Sequence, residues 1–108
     1  MKDCILQLNF RLNVSPEEYT DTFRPLADSF AAVEGLRWKV WILNEKEREA
    51  GGIYLFESAD AMDAFLSGDL VAAAASHPAL RDLSVKKFDV MPDLTAVTRG
   101  PVGAEASV

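Results

Sequence analysis

Hydrophobic and polar residues alternate at the start of the chain, which predicts a β-strand over residues 4–12. One row of side chains is apolar and consists of Cys4, Leu6, Leu8, Phe10 and Leu12; the other consists of Ile5, Gln7, Asn9 and Arg11. Successive side chains of a strand point to opposite faces of the sheet. This strand therefore has one strongly apolar side.

A helix is predicted to begin directly after this strand. Ser15 is suited to the N-cap, Pro16 to the first helical position, and Glu18 completes a capping box three residues after the serine. The apolar stripe of the helix consists of Tyr19, Phe23, Leu26, Phe30 and Val33. Pro25 interrupts this helix, because proline has no N–H to donate and its ring crowds the preceding turn; we expect a kink near Thr22.

The next segment, residues 38–56, has the pattern of a β-hairpin, with two apolar strands around a highly charged turn. Trp38 and Trp41 are three residues apart on the first strand, so they are predicted to face opposite sides of the sheet. Gly51 and Gly52 lie inside the second strand. Glycines at such positions usually mark a bulge or a close approach of another group to the backbone.

The second half of the chain predicts two further helical pieces and a last strand. Ser58 caps the first piece, Gly68 separates it from a second that ends at His77-Pro78, and the strand runs over about residues 83–90. The order is β-α-β-β-α-β, which predicts an α+β, ferredoxin-like fold with two helices on one face of a four-stranded antiparallel sheet. Residues 1–91 form this single domain, and residues 92–108 are predicted to be a C-terminal tail, or an arm that contacts a partner subunit.

Size and charge exclude several classes of function. A chain of 108 residues fits one domain, and burying both faces of its sheet favours a homodimer. The net charge of −6 argues against binding to nucleic acid or to anionic membranes. No apolar stretch is long enough to cross a membrane. The single cysteine and the lack of a signal-peptide pattern predict a cytoplasmic protein.

The hairpin also carries a family resemblance. Trp-Lys-Val-Trp at 38–41 and Glu-Ala-Gly-Gly-Ile-Tyr-Leu-Phe at 49–56 resemble the YdhR-type monooxygenases, small members of the dimeric α+β barrel superfamily. The likeness extends over roughly residues 4 to 91, through Leu6-Gln7-Leu8, Pro25-Leu26-Ala27, Glu34-Gly35-Leu36 and Lys87-Phe88-Asp89-Val90. It implies a homodimeric barrel and a monooxygenase that acts without a cofactor on a small or polycyclic aromatic compound.

The residue inventory agrees with chemistry that needs no cofactor. One histidine and one cysteine, far apart in sequence, make a transition-metal site improbable, and Gly51-Gly52 is not a nucleotide-binding motif. We therefore predict no metal and no organic cofactor. Phenols and hydroquinones react with O₂ once a protein removes a proton, stabilises the anion and excludes water.

Three residues are candidates for the catalytic groups, and each has a structural alternative. His77 is the natural base near neutral pH, although a histidine before a proline at a helix end often binds last-turn carbonyls instead. Tyr54 could donate to a developing oxyanion, or be buried with a backbone partner. Asn9 could orient a substrate carbonyl, or be exposed. Lys39 is expected to reach solvent or to pair with a carboxylate.

Four aromatic residues are candidates for binding the substrate. Phe23 and Phe65 lie on the apolar stripes of the helices, and one of Trp38 and Trp41 is expected to line the pocket while the other sits at the dimer contact.

Two alternative functions remain open. The chain could be a noncatalytic dimeric barrel that binds an apolar metabolite, or an isomerase or decyclase on the same fold.

Overall fold

The computed structural model describes residues 2–102 and has the predicted ferredoxin-like order. The strands are Cys4–Leu12 (β1), Leu36–Asn44 (β2), Glu49–Phe56 (β3) and Leu80–Asp89 (β4); the helices are Pro16–Phe23 (α1), Ala27–Ala31 (α2), Ala59–Leu66 (α3), Asp69–Ser76 (α4) and Pro92–Val97 (α5). The four strands form one sheet in the order β2-β3-β1-β4, and all neighbours are antiparallel. Strands β2 and β4 are therefore the edges.

Both predicted serine caps are present. The Ser15 hydroxyl accepts a hydrogen bond from the backbone N–H of Glu18 at 3.1 Å, and the Ser58 hydroxyl accepts one from the N–H of Ala61 at 3.1 Å. Each bond satisfies a backbone donor that has no partner within its own helix. The predicted interruption lies at Pro25 itself, where a 3₁₀ turn separates α1 from α2, and not near Thr22.

Helices α1 to α4 pack on one face of the sheet, which we call the helix face. Two clusters of buried side chains fill this layer. One contains Leu6, Leu8, Phe30, Tyr54, Phe56 and Phe65; the other contains Leu12, Tyr19, Phe23, Ala50 and Leu80. The apolar row of β1 supplies its half of this core, as its alternation predicts.

A β-bulge near the start of β2 decides which of its side chains join the helix face. Leu36 pairs with Phe56, but Trp38 pairs with Leu55, so the strand holds one extra residue between these pairs. Beyond the bulge, Lys39 and Trp41 share the helix face, and Trp38 points to the opposite face. The prediction that the two tryptophans face opposite sides is confirmed.

The opposite face, which we call the open face, is crossed by the C-terminal segment. The indole N–H of Trp38 donates to the carbonyl oxygen of Pro101 at 2.8 Å, and Ile5 shares a groove with Leu94 of α5. Helix α5 lies in the predicted tail, where no helix was expected. Residues 103–108 of that tail are outside the described residues.

Candidate active site

A cavity of about 260 Å³ opens between α1, the 3₁₀ turn and the edge strand β2. We call it the outer cavity. Its walls are Tyr19, Thr20, Phe23, Arg24, Ala27, Trp41, Ile42 and Leu43. Most of these side chains are apolar, and three are aromatic. A pocket of this kind suits a flat, largely apolar molecule with one or two polar groups.

A second and much smaller cavity, of about 20 Å³, lies deeper between the sheet and the helices. We call it the inner cavity. Tyr19, Phe23 and Trp41 line both cavities, so the two adjoin. The inner cavity is also lined by Lys39 and Tyr54, together with Phe30 and Phe65. A polar atom of a molecule in the outer cavity can therefore be directed towards these deeper groups.

Contacts between the rings hold the inner wall in place. The ring centroids of Tyr54 and Phe65 are 5.1 Å apart, and Phe30 meets Trp41 edge to face at 5.3 Å. Such pairs contribute roughly 0.5–1.5 kcal/mol beyond the area they bury. The cavity is therefore preorganised by the core itself.

Two tyrosines bring their hydroxyl groups to this region. Burial raises the pKa of Tyr19 to about 12. Burial, with a smaller contribution from Tyr19, raises the pKa of Tyr54 further. Both groups therefore stay protonated and can donate a hydrogen bond. Within the described residues the Tyr54 hydroxyl has no hydrogen-bond partner, although the side chain is only 3% exposed, so the backbone partner expected from the sequence is not found.

Lys39 is the residue that the sequence analysis placed wrongly. Its ammonium lies 3.3 Å from the Trp41 ring centroid, 3.6 Å from that of Phe30 and 4.8 Å from that of Tyr54. The bulge in β2 turns this lysine towards the helices, and Gly52 leaves room for it, since a side chain there would meet the lysine Cε at 2.7 Å. It is therefore half-buried in an aromatic cage, with no carboxylate partner among residues 2–102.

The structure separates the residues that the sequence analysis combined. Tyr54, Trp41, Phe23 and Phe65 lie together around the two cavities. On the open face, by contrast, Asn9 bonds Gln7 and Glu49 at 3.0 Å each, and Trp38 bonds the C-terminal segment.

His77 lines neither cavity. Its Nδ1 accepts a hydrogen bond from the N–H of Ala79 at 3.0 Å, and its ring lies 5.2 Å from that of Phe23, which does line both. The His77 side chain thus bonds a backbone N–H beyond α4, and not the last-turn carbonyls that the sequence suggested as its structural alternative. The catalytic role of His77 stays a prediction.

Residues 2–102 contain no group of three or more His, Cys, Asp or Glu side chains placed to hold a metal ion. None of the helices in this range is long and apolar enough to span a membrane.

Comparison with known proteins identifies a family for most of the chain. The family model described as "Putative mono-oxygenase ydhR" matches residues 5–101. A search of proteins with curated functions gave no match. The family match includes both cavities and extends into the C-terminal segment that crosses the open face.

Solved structures share the fold at low sequence identity. The protein NE2512 of unknown function from Nitrosomonas europaea has a TM-score of 0.70 at 17% identity, with 84% of this chain and 91% of that chain covered. SnoaB, a cofactor-independent oxygenase from Streptomyces nogalater, has a TM-score of 0.67 at 18% identity, with 83% of this chain and 94% of that chain covered. The heme-degrader MhuD from Mycobacterium tuberculosis, solved with two hemes in its active site, has a TM-score of 0.63 at 20% identity, with 81% of this chain and 95% of that chain covered.

Proposed function

Because the chain belongs to the YdhR family of mono-oxygenase proteins, we propose that it is a cofactor-independent monooxygenase that oxidises a small or polycyclic aromatic compound with O₂. The substrate class is a phenol or hydroquinone. The observation that carries this proposal is the outer cavity, whose aromatic walls fit a flat ring and whose inner end presents protonated tyrosine hydroxyls. SnoaB, which shares the fold, is named as an oxygenase of this kind.

The chemistry follows from what these groups can do. Loss of a proton from a phenol leaves an electron-rich anion, which can reduce O₂ directly. Tyr54 donates a hydrogen bond to the developing oxyanion, and such a preorganised donor in a dry site lowers the barrier substantially. Trp41 and Phe23 hold the aromatic ring of the substrate in the outer cavity. The Phe65 ring packs against the Tyr54 ring and holds it in position.

Filling the outer cavity should abolish most of the activity. Ala27 lines this cavity, and Ala31 lies on the same helix, is exposed, and lines neither cavity. We expect metal-stripped protein to consume O₂ with hydroquinones or anthrones. Ala27→Trp should lower kcat/KM by about tenfold or more, since it occupies the space of the ring. The control Ala31→Trp should stay within about twofold of the parent protein.

The same assay separates the alternatives. Binding of these compounds with no O₂ uptake would favour a noncatalytic barrel that holds an apolar metabolite. Conversion of the compound without O₂ uptake would favour an isomerase or decyclase. Equal rates in Ala27→Trp and Ala31→Trp would show that the outer cavity is not the site.

We also propose that the protein is a homodimer joined through its open face. Val40 and Phe88 project from this face and are 51% and 49% exposed, and Leu94 and Val97 of α5 are exposed beside the sheet. Exposed apolar side chains grouped in this way usually mark a contact between proteins. A second copy presents the same apolar patch, so a symmetric dimer removes the patches of both copies from water.

Sedimentation tests this proposal. We expect a mass of twice the 11.8 kDa of one chain at micromolar concentration. Phe88→Asp should give monomers, because a carboxylate buried in an apolar interface without a partner costs several kcal/mol, of order 3–5. Val85 lies on the same strand, faces the helices and is 45% exposed, so Val85→Asp is the matched control and should remain dimeric. A monomeric parent protein would contradict the proposal.

A further inference from the structure

Among residues 2–102, Lys39 is the one charged side chain in the wall of the inner cavity. Within residues 2–102 its ammonium has no ion-pair or hydrogen-bond partner, and its contacts are the faces of three aromatic rings. Ring faces attract a cation but cannot accept a proton from it or supply the charge that a carboxylate would. The group is therefore positioned without a partner of opposite charge.

The position of Lys39 relative to the outer cavity is favourable for contact with a ligand. Trp41 forms a wall of both cavities and touches the Lys39 ammonium, and this indole is 40% exposed at the edge of the sheet. The Lys39 ammonium therefore lies one indole ring away from a ligand in the outer cavity.

The electrostatic setting makes the uncharged amine accessible near neutral pH. Burial lowers the pKa of Lys39 from its ordinary 10.5 to about 7. The other titratable or charged side chains in the two cavity walls are Tyr19, Tyr54 and Arg24, and none of them is an anion at neutral pH. Within the described part of the chain, these walls therefore contain no carboxylate that could stabilise the ammonium.

We propose that Lys39 is the base of the reaction: its amine takes the proton from the substrate hydroxyl, and the resulting ammonium then holds the substrate anion as an ion pair. This inference rests on the proposed function for the identity of the substrate as a phenol. In the step itself the amine lone pair forms a new N–H bond, and the O–H bond breaks with both electrons left on oxygen. Nothing is oxidised until this anion meets O₂.

The contacts favour Lys39 over His77 in this role. The Nδ1 of His77 is occupied by the N–H of Ala79, and the ring lines neither cavity. Lys39 instead lies in the inner cavity beside Tyr54, the donor proposed for the same oxygen. A base and a hydrogen-bond donor side by side in one cavity wall are what proton removal from a phenol requires.

Binding of para-nitrophenol tests the inference without any turnover, because this phenol absorbs visible light only as its anion. With the parent protein at neutral pH, bound probe should be the anion. Lys39→Met keeps the apolar stem but should bind the anion about tenfold more weakly, in proportion to a lost charge-assisted contact. Lys46 lies in the exposed turn between β2 and β3 and lines neither cavity, so Lys46→Met is the control and should match the parent.

Lys39→Arg separates holding the anion from making it. Its guanidinium stays charged, so it should still bind nitrophenolate, but it cannot accept a proton. Turnover of a hydroquinone should fall about 100-fold or more with little change in KM. Full turnover in Lys39→Arg, or identical nitrophenol spectra in Lys39→Met and the parent, would overturn the assignment.

A second measurement uses the parent protein alone. Brief acetylation over a range of pH, read by mass spectrometry, should show Lys39 gaining reactivity near pH 7, where its pKa lies. A profile in which Lys39 reacts only near the ordinary lysine pKa of about 10.4 would overturn the assignment. If the protein consumes no O₂ but its nitrophenol spectrum still depends on Lys39, the monooxygenase proposal is contradicted. The inference that Lys39 binds and forms the phenolate anion is then still supported.

Discussion

Replacing Gly51 by alanine is expected to destabilise the fold severely. A Cβ at this position would overlap the carbonyl oxygen of Leu8 and lie 2.9 Å from its carbonyl carbon and 3.0 Å from the Cα of Asn9. These are backbone atoms of the neighbouring central strand, and no side-chain rotation relieves the contact. We expect a loss of about 4 kcal/mol or more, against a total stability of roughly 5–15 kcal/mol for a domain of this size.

Circular dichroism and urea denaturation measure this effect, and the adjacent glycine supplies the control. A Cβ on Gly52 would meet the Cε of Lys39 at 2.7 Å and the Tyr54 ring at 3.0 Å. The end of a lysine side chain can move, so Gly52→Ala should fold and should displace the lysine from its cage. A Gly51→Ala protein that unfolds at the same urea concentration as the parent would show that β1 and β3 do not approach this closely.

Replacing Lys39 by methionine should stabilise the protein at and below neutral pH. The folded pKa of about 7 lies below the ordinary 10.5, so between these values the unfolded chain binds more protons than the folded one. The stability of the parent protein should therefore rise as pH increases from about 7 to about 10. Below about pH 7, the destabilisation caused by burying the charged Lys39 ammonium should be complete. Each pKa unit corresponds to about 1.4 kcal/mol.

The size of this effect is reduced by the ring contacts. Methionine loses attractions to aromatic faces that are worth roughly 0.5–2 kcal/mol, and the lysine is only half-buried. We expect a net gain of about 2 kcal/mol at about pH 6, vanishing near pH 10. Urea titrations at the two pH values test this, with Lys46→Met in the exposed turn between β2 and β3 as the control. A constant difference between Lys39→Met and the parent at all pH values would rule out the buried, titrating amine.

Local patterns predicted most of the fold because each depends on neighbours in sequence. The alternation over β1 fixes its buried row, Ser15 and Ser58 mark helix starts, and Pro25 marks the interruption between α1 and α2. The start of strand β4 was harder to predict. The strand begins at Leu80 and not near residue 83, because it continues past an irregular pairing with β1 where Asp82 has a φ of 58°. No short-range pattern reveals a residue forced into the left-handed region by its partner strand.

The candidate site was predicted only in part, for a related reason. Spacing placed Trp38 and Trp41 on opposite faces, but the face that the helices cover depends on the bulge in β2, which periodicity does not show. A lysine between two tryptophans therefore looked like a solvated side chain. One signal was available: Lys39 shares a face with Trp41, and Gly52 opposite that tryptophan offers room for a long side chain.

The two tryptophans on opposite faces also divide the fluorescence of the protein into two separate signals. Trp41 borders the outer cavity and touches the lysine cation, so its emission responds to a ligand and to the protonation of that amine. Trp38 donates its indole hydrogen to Pro101, so its emission responds to displacement of the C-terminal segment. Phenylalanine at either position leaves a chain with a single emitter, in which events at the cavity and at the open face can be followed in real time, one at a time.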